Sequence, residues 1–180
     1  MEIKTLFENP WVSVRQKGRW IYSHFTKSNS ETIGILPYRV TDTGLEVGVI
    51  QEDIPCHNTT SVYLITGAIE EGNTSEETAV IELLEEAGIV ADKEDPMFME
   101  MGEFYPLKHS DCRVATYIVD VTGKKCSVPK GDGSEHEKES TFSFIKGEDL
   151  LALTNDPNLI ATYYLLLDIC AEVFGSGDTK

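Results

Sequence analysis

Three glutamates, Glu82, Glu85 and Glu86, stand close together in the middle of the chain. On a helix, Glu82 and Glu86 share one face a turn apart, and Glu85 adjoins Glu82 across the groove. Like charges at this spacing cost about 0.2–0.5 kcal/mol each in an isolated helix, so the crowding is mildly self-destabilising unless a cation sits among the carboxylates. A hard divalent ion suits such a donor set. Mg²⁺ takes oxygen ligands and keeps part of its octahedron for water and substrate phosphates, and Mn²⁺ is an alternative. The solvated face of an ordinary helix in an acidic protein would have the same composition, so the surrounding residues decide between the two.

Those residues predict a helix over 75–87. Thr74 followed three residues later by Glu77 is a capping box, and Gly88 supplies the stop. Ala79, Val80, Leu83, Leu84 and Ala87 recur at the spacing of one buried stripe, which would anchor the helix to a sheet. Ahead of it, Gly67-Ala68-Ile69-Glu70-Glu71-Gly72 forms a glycine-bracketed loop leaving a strand expected at 61–65. Further strands are expected at 12–15, 20–25, 32–39, 45–51, 98–104, 114–121 and 140–145, from their β-branched and aromatic content. A loop at 105–111 joins two of them. A second, from 123 to 138, is of a length that in compact domains is often functional. Asp156-Pro157 starts a C-terminal helix whose apolar positions are Leu159, Ile160, Tyr163, Leu166, Leu167, Cys170 and Val173. It is expected to end at Gly175, with 176–180 frayed. The pattern is α+β.

At 180 residues, with 41% hydrophobic and 26% charged, the chain suits one domain. No apolar run approaches the roughly 20 residues of a membrane-spanning helix, and no secretory signal pattern opens the sequence, so a cytoplasmic location and no membrane partner are expected. Cys56, Cys112, Cys126 and Cys170 form no C-x-x-C pair, which argues against a thiolate zinc site and for free thiols. A net charge of −16 repels nucleic-acid polymers and leaves a small anionic ligand, received through a cation or local arginines.

Residues 67–89 resemble the Nudix box, Gly-x5-Glu-x7-Arg-Glu-U-x-Glu-Glu-x-Gly-U with U a bulky aliphatic. Gly67, Glu82, Leu83, Glu85, Glu86, Gly88 and Ile89 fall on the pattern; Asn73 replaces its first glutamate and Ile81 its arginine. The resemblance implies an α/β/α sandwich with a mixed, curved sheet, to which the N-terminal residues 1–30 add a β region. It also implies that Glu82, Glu85 and Glu86 bind the metal, that the pattern's arginine would steady them by ion pairing, and that Ile81 forgoes this support. The segment 66–72 is similar to the ADP-ribose pyrophosphatase branch of that family. There the carbonyl before the box glycine, here that of Thr66, joins the metal shell, Gly67 and Ala68 border the substrate, and a proline beyond the box, here Pro106, helps to hold it. Homodimers through the N-terminal region are implied by the same likeness.

The implied reaction is metal-assisted attack of water on one phosphorus of a small nucleoside diphosphate derivative such as ADP-ribose, with a carboxylate taking the proton. The base candidates are Glu85 and the late triplet Glu135, Glu137 and Glu139, which would project to one side of an extended segment. Arg39 and Arg113 are candidates for phosphate contacts, as is Arg15, though each could equally serve a surface ion pair. Trp20, Tyr22, Phe25 and Tyr105 could stack on a base, but aromatics in such segments usually pack in the core or across strands. His57 and His109 have no partner at metal-ligand spacing. Other readings stay open: FAD, a dinucleoside polyphosphate or a nucleotide sugar as substrate, a nucleotide sensor that kept the fold while the box decayed, or an acidic interaction protein.

Overall fold

The computed structural model describes residues 1–95, 98–129 and 140–174. The chain opens with three strands, β1 (Ile3–Glu8), β2 (Val12–Lys17) and β3 (Trp20–Phe25), paired antiparallel as a sheet of their own. Seven strands build the second sheet: β4 (Glu31–Thr41), β5 (Gly44–Ile54), β6 (Thr59–Tyr63), β7 (Ile65–Ala68), β8 (Phe98–Phe104), β9 (Arg113–Asp120) and β10 (Thr141–Lys146). Its spatial order is β10-β5-β4-β9-β8, with β6 beside β5 and β7 beside β4. Among the described residues, only β4 and β9 pair as parallel strands in this sheet, which is therefore mixed.

Alternation along the central strands fills two cores. Ile33 and Ile35 of β4 face one side with Ala115, Tyr117 and Val119 of β9, and there they meet Ala79, Leu83 and Ala87 of α1 (Ser75–Ala87). Leu36 and Tyr38 face the other side, where they meet Leu159, Tyr163 and Leu166 of the long C-terminal helix. That helix, Pro157–Phe174, is α3; α2 is a single turn at Leu150–Leu153 that follows a 3₁₀ turn and adds Leu150 to the second core. Helix, sheet and helix therefore stack as the α+β sandwich the sequence predicts, with the additional N-terminal sheet.

Several expectations need correction. The run from 61 to 67 is two strands, because β6 pairs with β5 and β7 crosses to pair with β4, the chain changing partner at Leu64. β1 was not expected. Leu84, assigned to the buried stripe of α1, is 46% exposed, and Leu167 of α3 is also exposed. Both lie at the margin of stripes whose centres, Leu83 and Leu166, already fill the space against the sheet. Trp20, Phe25 and Tyr105 are exposed instead of packed in a core. The expected stop at Gly175 and the tail 176–180 lie outside the described residues.

Candidate active site

β7 and α1 carry the box segment. Thr66, Gly67 and Ala68 lie opposite Gly34, Ile33 and Thr32 of β4, and the Ile69 N–H extends the pairing to the Glu31 carbonyl at 3.1 Å. The chain turns at Glu70, whose carbonyl accepts from Asn73 N–H at 3.1 Å. Thr74 then caps α1: its hydroxyl accepts from Glu77 N–H at 3.2 Å, and its own N–H donates to Glu77 Oε2 at 3.0 Å. These donors at the helix start hold the Glu77 carboxyl below its usual range, Lys93 adding to the effect. Glu76 is lowered too, chiefly by its own backbone N–H. At the first residue of α1, Tyr117 Oη of β9 donates to Ser75 Oγ at 2.8 Å and fastens the helix start to the sheet. Burial pushes the Tyr117 hydroxyl's pKa up, which keeps it protonated as that donor.

With Ala79, Leu83 and Ala87 buried against the sheet, the carboxylate-bearing Glu82, Glu85 and Glu86 fall on the half-buried flanks of α1. Glu82 packs onto the β7 backbone so closely that a methyl group on Gly67 would lie 2.2 Å from Glu82 Oε1 and 2.5 Å from Cγ. Gly67 is thus the residue that lets this carboxylate reach the strand. Ile81, one turn before Glu85, is 41% exposed and holds no core position.

The helix ends at Gly88, in left-handed conformation with φ 64°. Its carbonyl accepts from both Ser127 N–H at 2.8 Å and Ser127 Oγ at 3.0 Å, and Ile89 bridges to Cys126. The chain is therefore tied to the end of α1 just before the segment that contains Glu135, Glu137 and Glu139. Those three candidates lie outside the described residues.

Beside the start of α1 is a cleft of about 210 Å³. Glu31 and Thr32 of β4, Asn73 and Ser75 of the helix entry, Glu103 of β8 and Arg113 of β9 line it, with Ile69 and Ala115 as its apolar part. Arg113 is thus brought to the box segment. Arg39 is not. It lies seven residues from Thr32 along β4, about 23 Å at strand rise, where Nη2 pairs with Glu46 Oε2 at 2.6 Å and the guanidinium covers the Phe144 ring at 3.9 Å. Pro106 is half-buried in the loop between β8 and β9, whose far end reaches the cleft at Arg113.

Among the described residues, no three His, Cys, Asp or Glu side chains form a ready-made metal cage. The box nevertheless offers hard oxygen donors on one helix flank, closely packed on a strand backbone at Gly67, and this chemistry fits Mg²⁺ or Mn²⁺ completing its shell with water and ligand oxygens. Cys112 is buried, and that burial pushes its thiol pKa up. No helix among the described residues is long and apolar enough to cross a membrane.

A polar unit that sequence spacing did not reveal lies next to the cleft. His24 of β3 and Ser30, both buried, meet Asp111 of the loop before β9. Asp111 stands more than 80 residues from the other two in sequence, which gives no periodic signal.

No protein-family model matches the sequence, and no curated protein matches it. Among solved structures, the chain is similar to one described as an ADP compounds hydrolase, at a TM-score of 0.69 and 17% identity over 98% of this chain and 94% of that one. At that identity the likeness establishes a shared fold across nearly the whole length of both chains.

Proposed function

We propose that the protein is a Nudix-type pyrophosphohydrolase that cleaves the diphosphate linkage of a nucleoside diphosphate derivative, ADP-ribose being the leading candidate. The observation that carries this reading is the placement of Glu82, Glu85 and Glu86 on the flanks of a capped helix, with Glu82 packed against Gly67. The fold shared with an ADP compounds hydrolase supports it. Glu82, Glu85 and Glu86, with the Thr66 carbonyl, would hold Mg²⁺ or Mn²⁺. The bound ion would supply charge neutralisation at the diphosphate and a water of lowered pKa.

The protein's own groups do the rest. Arg113 offers a guanidinium to a phosphate in the cleft, and the hydroxyls of Thr32 and Ser75 offer donors to ligand oxygens. Asn73 suits this cleft, which already contains Glu31 and Glu103: a glutamate at 73 would add a third negative charge facing an anionic substrate. A carboxylate, Glu85 or one of Glu135, Glu137 and Glu139, takes the proton of the attacking water. Ile81 stands where the box pattern has an arginine, and an apolar side chain there offers the carboxylates no charge.

We further propose a homodimer through the N-terminal sheet. Ile3, Leu6, Phe7, Trp11, Trp20, Ile21 and Phe25 are exposed there. Residues 1–30 carry five Lys and Arg against two Glu, while the remaining 150 carry ten against 29 Asp and Glu, so a basic, apolar sheet faces an acidic body.

Turnover on ADP-ribose, FAD, diadenosine polyphosphates, nucleotide sugars and nucleoside triphosphates, with Mg²⁺, Mn²⁺ and EDTA, tests the function. Metal-dependent cleavage of a diphosphate substrate is expected, reduced about 1,000-fold or more in Glu86→Gln. Saturable nucleotide binding without turnover would instead identify a binding or sensor protein.

A further inference from the structure

We propose that Ser30, Asp111 and His24 are positioning residues that set Arg113 and Glu31 at the cleft and so tune the affinity for an anionic substrate; this rests on the cleft being the substrate site. Ser30 Oγ is the hub of the unit. It donates to Asp111 Oδ1 at 2.5 Å, accepts from Phe25 N–H at 2.8 Å and lies 3.1 Å from His24 Nδ1. His24 Nδ1 is also 3.0 Å from Asp111 Oδ2. An ionised carboxylate only accepts, so the imidazole carries its proton on Nδ1 and gives it to Asp111. His24 is 4% exposed and Ser30 2%, so water competes poorly at their end of these bonds, while the Asp111 carboxylate at the outer end is 37% exposed.

The backbone carries the consequence. Asn29 and Ser30 have φ of 49° and 61°, a left-handed conformation that a residue with a side chain adopts rarely, and the Ser30 bonds hold it. In that conformation the Ser30 carbonyl accepts from Arg113 N–H at 2.8 Å, immediately before Glu31 and Arg113 pair as neighbours in β4 and β9. Two further bonds dock the loop before β9 on β3: Ser23 N–H to the His109 carbonyl at 2.9 Å, and Asp111 N–H to the Ser23 carbonyl at 3.2 Å. The unit therefore ties β3 to the starts of β4 and β9, Ser30 standing one residue before Glu31 and Asp111 two before Arg113. Moving Asp111 shifts the start of β9, and with it the guanidinium that would meet a phosphate. The same bonds link the position of the N-terminal sheet to the cleft.

The test compares wild type with Asp111→Ala, Asp111→Asn, His24→Ala and His24→Asn. In each, kcat and KM are measured on the best substrate of the panel, AMP binding is measured by calorimetry, and folding is followed by thermal unfolding. The Nδ2 donor of an asparagine at 24 can replace the imidazole Nδ1–H. Asp111→Ala and His24→Ala are expected to raise KM and weaken AMP binding by about 10- to 100-fold with kcat changed less than about 3-fold, since displacement without loss of the reacting groups acts on binding. His24→Asn is expected to recover most of the loss, and Asp111→Asn part of it. Unchanged KM and AMP affinity in folded variants, with wild type active, would overturn the positioning role and leave the hydrolase reading standing. Equal losses in His24→Asn and His24→Ala would overturn the hydrogen-bond argument. If Asp111→Ala does not fold, the His24 pair decides. A wild type that neither turns over nor binds AMP overturns both this inference and the reading it rests on.

Discussion

Gly67→Ala is expected to lower kcat/KM by about 100-fold while moving the unfolding midpoint by less than about 3 °C, the shift that roughly 1 kcal/mol produces in a chain of this size. Gly67 sits in β7 opposite Ile33 in regular pairing, so the backbone accepts alanine there. What the new methyl group meets is the end of the Glu82 side chain, with Oε1 at 2.2 Å and Cδ at 2.5 Å. A half-buried carboxylate can swing aside at little cost to stability, but it then leaves its place against the β7 backbone. Activity and thermal unfolding measured on the same preparation check this. Gly67→Ala combined with Glu82→Gln should be little worse than Glu82→Gln alone, since both remove one carboxylate from one place.

Gly88→Ala should act in the opposite sense, on stability first. Its φ of 64° is strained for alanine, and the added methyl group would lie 2.1 Å from the Ser127 carbonyl oxygen, a backbone atom that cannot rotate away. Relief requires moving the segment that holds Ser127, at the expense of its two hydrogen bonds to the Gly88 carbonyl. Left-handed strain, the clash and the lost bonds together are expected to cost about 3 kcal/mol or more, a fall of roughly 6–12 °C in the unfolding midpoint. Urea denaturation read by circular dichroism checks the size. A loss below about 1 kcal/mol would mean that Ser127 is not held against the helix end.

These two glycines mark how far the sequence alone could be read. The limits of α1 were legible because Thr74, Glu77 and Gly88 act locally: a cap and a left-handed stop need only their neighbours. The helices and most strands followed from two periodicities, while the box resemblance implied the sandwich and supplied the candidate carboxylates. What escaped depends on distant partners. Nothing in the run of β-branched residues around Leu64 says that β6 and β7 pair with different strands. β1 has no alternation to announce it, since all six of its residues are exposed. Arg39 and Arg113 look alike in sequence, and only the direction of β4 separates the arginine held by Glu46 from the one at the cleft. His24, Ser30 and Asp111 come together through the docking of a loop on β3, which no spacing encodes. Their only local trace is the polar turn at Asn29-Ser30.

We propose that the box carboxylates take up a divalent cation together with a diphosphate, neither partner forming a complete site alone. Three carboxylates on one helix flank support it, since Mg²⁺ and Mn²⁺ keep part of their shell for water and ligand phosphates. The most direct measurement is the affinity for Mn²⁺, by electron paramagnetic resonance, with and without a non-hydrolysable methylene-bridged analogue of ADP-ribose, in wild type and Glu86→Gln. The expected result is weak binding of Mn²⁺ alone, tightened at least about 10-fold by the analogue in wild type and not in the variant. An Mn²⁺ affinity indifferent to both the analogue and Glu86 would contradict it.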